Sequence, residues 1–74
     1  MSTPLAYKLE KERIGLRISQ LREAKGLSQR QFALMLDLDR VILSRIESGR
    51  HNPTLETLIR IAEGLDVGVE DLFK

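Results

Sequence analysis

QRQFALMLDLDRVILSRIES, residues 29 to 48, decides the fold of this 74-residue chain. The stretch reads as two short helices joined by a tight turn at Asp37. Phe32, Leu36, Leu38, Leu43 and Ile46 supply the apolar side that holds the pair together. Helices that meet at a steep angle need a small residue at the contact, and Ala33 stands there. Ser28 and Gln31 form an S-x-x-Q capping box at the start of the first helix, with Leu27 and Phe32 placed as a hydrophobic staple. That helix ends near Leu36. The second helix takes Asp39 as its N-cap and stops at Gly49. With Leu43 and Ile46 turned inward, its opposite face carries Arg40, Val41, Ser44 and Arg45.

Outward from this pair, the pattern stays helical. Ile14, Ile18 and Leu21 recur at helical spacing in a segment from about Tyr7 to Lys25. Gly15 inside it costs up to ~1 kcal/mol relative to Ala, and Gly26 closes it as a left-handed residue. Residues 1–6, with Pro4, are expected to fray. After the polar loop RHNP, Thr54 caps a fourth helix. Leu55, Leu58, Ile59 and Ala62 line one face of it and Gly64 closes it. A last short helix covers about Val69 to Phe73. No stretch alternates as a strand does. The expectation is one all-α domain over residues 1–74, with five helices.

The chain has no cysteine and one histidine, His51. Disulfides and thiolate metal sites are excluded, and no metal or other cofactor is expected. No Ser/His/Asp set is arranged for catalysis, so the chain does not read as an enzyme. It has no apolar leader and no run long enough to span a membrane, and a cytoplasmic location is expected. Net charge is +1, but its distribution is uneven. Residues 1–55 carry ten Lys/Arg against six Asp/Glu, and residues 56–74 carry two against five. One end of the molecule suits phosphates and the other does not.

The exposed face of the third helix has the chemistry to read double-stranded DNA. Arginine spans guanine O6 and N7 with both prongs of its fork, serine donates or accepts, and valine packs on a thymine methyl. A helix carrying these residues toward its N-terminus fits the major groove. The second helix would lie across the backbone, its N-terminal amides facing a phosphate with Gln29 and Arg30 beside them. Ser48, Arg50, His51 and Asn52 in the following loop offer further phosphate contacts. Arg13, Arg17 and Arg22 are expected on a solvated face of the first helix.

LSQRQFA at Leu27–Ala33, SRIESG at Ser44–Gly49, NPTLETLIRIAEGL at Asn52–Leu65 and the terminal DLF together resemble the lambda-repressor-like, Cro-like helix-turn-helix family, also called the xenobiotic-response-element family. The resemblance spans about Ile14 to Phe73. It implies five helices, sequence-specific major-groove binding and a dimer. It places Gln29 at a phosphate or base edge, and Arg40, Val41, Ser44 and Arg45 at the bases. Glu47 becomes a brace of the fold, paired with Arg22 by the family layout. The family favours Gly at the turn where this chain has Asp37, which takes the left-handed conformation at some cost. It favours Ser or Thr at the helix-three cap where this chain has Asp39, whose charge the helix N-terminus or Arg40 offsets. The size and the LDR leading into the third helix are also similar to the controller proteins of restriction–modification systems. An antitoxin-like protein-binding module, with residues 1–12 holding a partner, and a phage-type repressor are the alternatives.

One recognition helix reads only a few base pairs, so a homodimer on a two-fold site is expected. Leu65, Val67, Val69, Leu72 and Phe73 are more apolar residues than a short terminal segment needs, and they are the expected dimer surface. No small-molecule ligand is expected.

Overall fold

A computed structural model describes residues 3–74. Its elements are helices α1 (Pro4–Ala24), α2 (Gln29–Met35), α3 (Arg40–Glu47) and α4 (Leu55–Gly64), followed by a 3₁₀ turn at Val69–Phe73. The described chain is thus all-α, as read from the sequence, with four α-helices and a 3₁₀ closure in place of five helices. The last segment is only five residues long and carries Gly68 before it, too little for a regular α-helical ladder.

α1 starts one turn earlier than Tyr7. Thr3 Oγ1 accepts from the Ala6 amide at 3.1 Å, and Pro4 occupies the first turn, where its missing N–H costs nothing. Residues 1 and 2 of the expected frayed segment lie outside the described residues. α2 begins with both halves of the Ser28–Gln31 capping box in place, at 3.0 and 2.9 Å. Asp39 caps α3, its Oδ1 accepting from Val41 N at 2.7 Å, so its negative charge is spent on the helix N-terminus.

All four α-helices end alike. The left-handed residues Gly26, Asp37, Gly49 and Asp66 follow them in turn. At each end one amide bonds back five residues: Leu27 to Arg22, Leu38 to Ala33, Arg50 to Arg45 and Val67 to Ala62. Gly64 is the last residue of α4, as expected, but the left-handed closure falls to Asp66. A Cβ on Gly64 would stand 2.7 Å from Leu36 Cδ2 and 3.0 Å from Phe32 Cε1. Gly15 has a similar role in α1. A Cβ there would meet the carbonyl oxygens of Ile46 at 2.3 Å and Glu47 at 2.6 Å. Its helix-propensity cost therefore secures the close crossing of α1 and the end of α3.

The core is Ile18, Phe32, Ala33, Leu36, Leu43, Ile46, Leu58, Ile61, Ala62, Leu65 and Leu72. The buried stripe of α4 runs through Leu58, Ile61 and Ala62 to Leu65. Leu55 and Ile59, expected on that face, are 64% and 41% exposed. Among the described residues no helix is long and apolar enough to cross a membrane.

Candidate nucleic-acid interface

α3 is two turns long, and its inward side is set by Leu43 and Ile46, both buried. That burial turns Arg40, Val41, Ser44 and Arg45 outward, and all four are exposed. With Ser48 and Arg50 they line one shallow hollow on the surface. Among the described residues no carboxylate pairs with Arg40, Arg45 or Arg50. Three guanidinium groups on one face, free of counter-charges, leave their donors for an acceptor-rich partner.

The other sequence-derived contacts divide. Arg30 is exposed in the first turn of α2. Gln29, beside it, is already engaged: its Nε2 donates to Glu47 Oε1 at 2.9 Å. His51 and Asn52 are not part of the α3 hollow. They line a separate apolar groove with Tyr7, Ile14, Leu58 and Phe73.

Behind the α3 face sits a buried ion pair. Arg22 Nε and Nη2 donate to Glu47 Oε2 and Oε1 at 2.8 and 3.0 Å, and Nη1 donates to the Leu27 carbonyl at 2.6 Å. The hydrogen bond that Arg22 donates to Glu47 raises the guanidinium's pKa above its ordinary value, against the cost of burial. One carboxylate thus ties together α1, the start of α2 and the end of α3. Arg22 is not on a solvated face, and neither Arg13 nor Arg17 is free. Arg17 Nε donates to the Asp71 carbonyl at 3.0 Å, and Arg13 bonds both the Phe73 carbonyl and Glu10. α1 therefore pins the C-terminal turn with two arginines. Periodicity missed this because it sorts residues by face and says nothing of what crosses the face.

The expected dimer surface needs correction. Leu65 and Leu72 are 1% and 0% exposed, so they are consumed by the monomer's own core. Val67 and Val69 are partly buried against that core. Of the five residues, Phe73 alone is substantially exposed, at 41%.

Residues 18–72 match the family described as helix-turn-helix. Control protein C.MunI from a Mycoplasma species is 42% identical over 64 residues, covering 85% of this chain and 86% of that one. The immunity repressor protein of Bacillus phage phi105 is 39% identical over 56 residues, 76% of this chain and 39% of that one. The crystal structure of the restriction–modification controller protein C.AhdI from Aeromonas hydrophila superposes with a TM-score of 0.85 at 35% identity, covering 88% of this chain and 98% of that one. With its cap, turn and recognition-helix geometry, the chain belongs to the helix-turn-helix family of transcriptional regulators, of the xenobiotic-response-element type.

Proposed function

We propose that this protein is a homodimeric transcription regulator that reads a two-fold operator with α3 and serves as the controller of a restriction–modification system. The observation that carries the reading is the α3 hollow: Arg40, Val41, Ser44 and Arg45 exposed together and unopposed by carboxylates among the described residues. Arg40 and Arg45 read bases, Ser44 and Val41 adjust the fit, and Ser48, Arg50 and Arg30 hold phosphates. Gln29 contributes its backbone amide at the start of α2 and the second N–H of its side-chain amide, the first being donated to Glu47. Asn52 reaches the backbone from the adjoining loop. The match to two controller proteins over most of each chain supports the narrower role.

The dimer pairs through apolar side chains left exposed on α4 and the C-terminal turn, with Phe73 the member of the expected set that remains available. Each copy then presents one α3, with half-sites one helical turn, roughly 34–36 Å, apart.

The test is gel retardation of duplex DNA from upstream of the protein's own gene, with unrelated duplex as competitor. Specific retardation is expected, and log K should fall by ~0.9 per phosphate contacted as log salt rises. Absence of retardation even at low salt would refute the regulator reading and favour a protein-binding role.

A further inference from the structure

Arg60 has no assigned part in the α3 face, yet it reaches the turn that aims α3. Its guanidinium projects from α4 and donates from Nη2 to the Leu36 carbonyl, with the Asp37 carbonyl 3.4 Å away. These carbonyls belong to the C-cap of α2, Leu36, and to the turn residue that follows it, at the helix end where backbone acceptors lack intrahelical partners. The residue between the helices, Asp37, has φ 53°, a left-handed conformation that its side chain does not favour. Among the four left-handed closures of the described chain, this is the one where a side chain from another helix holds the carbonyls of the turn. Arg60 is partly buried, and no carboxylate pairs with it among the described residues.

We infer that Arg60 is a positioning residue for the recognition helix. Its donors hold Leu36 and Asp37 in the one arrangement that sets the pitch of α3 against α2. The inference rests on the proposed reading of α3 as the base-reading helix. The cation also sits at the negative end of the α2 dipole, which reinforces the bond. Two-pronged contact to a base edge tolerates displacements of only about 0.5 Å and 10–20°. Phosphate contact by flexible arginines tolerates more. Loss of the Arg60 clamp should therefore weaken specific binding far more than non-specific binding. A glycine at position 37 adopts the left-handed turn without side-chain strain and should make the clamp less necessary.

The experiment begins by selecting a preferred duplex from a random pool with the full wild-type chain. Affinities for that duplex and for random duplex are then compared for wild type, Arg60→Met, Asp37→Gly and the double variant. Arg60→Met should lose about tenfold or more on the selected duplex and less than about threefold on random duplex, because only the former needs a fixed α3. Asp37→Gly alone should change little, and in the double variant it should recover a large part of the loss, the non-additivity expected of coupled sites. Equal losses on both duplexes, no loss on either, or strict additivity would overturn the inference.

If the wild type enriches no duplex, the regulator reading fails, and the clamp is judged by amide hydrogen exchange instead. Arg60→Met should speed exchange of the Leu38 amide by about tenfold while the Leu27 amide, in the equivalent turn after α1, keeps its rate. Acceleration of both alike, or of neither, would overturn it. Arg60→Lys, which retains stem and charge but loses the fork, replaces Arg60→Met if the latter is unfolded at the assay temperature. It should show the same ordering with smaller effects.

Discussion

Six of the chain's eight arginines show how one side chain does unlike work according to what surrounds it. Arg22 is buried against Glu47 and serves the fold. Removing either member would strand a charge in the core, at a cost of about 3–5 kcal/mol. Arg13 and Arg17 donate to backbone carbonyls sixty and fifty-four residues away and serve the C-terminal closure. Arg40, Arg45 and Arg50 bond to nothing comparable among the described residues and face outward together. The prediction at this scale concerns Arg45. Arg45→Ala should cost about 1–3 kcal/mol of binding to the operator and relax the choice of base at one position per half-site. Equilibrium titration of operators mutated one base at a time checks it. A uniform loss across all sequences would move Arg45 to the phosphate contacts.

At the scale of elements, the helices are held where they meet more than by their own propensities. Gly15 illustrates the point. On propensity alone, Gly15→Ala in α1 would stabilise the helix by up to ~1 kcal/mol. The added methyl would press on two α3 carbonyls at 2.3 and 2.6 Å, and overpacking of that kind costs typically about 1–3 kcal/mol. The crossing should win, and thermal melting followed by circular dichroism should show a lower Tm. A raised Tm would mean that α1 and α3 separate freely. The 3₁₀ turn offers a second test. Asp71 caps it, accepting from Gly68 N at 3.0 Å and from Lys74 at 2.7 Å. The Lys74 hydrogen bond first, then that of Gly68, holds its carboxyl below the ordinary value of 3.8. A carboxyl with a lowered folded-state value adds stability above its ordinary range and loses it as pH falls through the folded value. Asp71→Asn should therefore lower Tm at neutral pH, and the gap should close in strong acid. A gap independent of pH would assign the effect to shape alone.

At the scale of the whole molecule, the free arginines of the α3 face and the exposed terminal aromatic Phe73 lie on different elements, while other apolar side chains are exposed along α1 and α2. The unopposed arginines of α3 lie in the cation-rich part of the sequence, and the exposed Phe73 lies in its acid-rich end. A regulator needs that separation, because pairing between copies must not hide the face that meets phosphate. Phe73→Ser should shift the protein toward monomer in sedimentation while leaving its helix content intact. Leu72→Ser should instead unfold the chain, because Leu72 is wholly buried. A Phe73→Ser protein that sediments as the wild type does would remove Phe73 from the pairing surface.

The amino-acid sequence by itself determined the helices, the capping box at Ser28, the Asp39 cap, the turn at Asp37 and the outward set on α3. Those signals act between residues no more than about five apart, within one or two helical turns. Only the tertiary structure decided that Leu65 and Leu72 are spent inside, that Leu55 and Ile59 stay outside, and that Gly15 and Gly64 are points of close approach. It likewise decided that Arg13, Arg17 and Arg60 grip distant carbonyls, with 60, 54 and 24 residues between partners. The reason is geometric. A helical period assigns a residue to a face, but which neighbour that face meets depends on how separate helices dock. A long guanidinium arm reaches its partner only once they have docked.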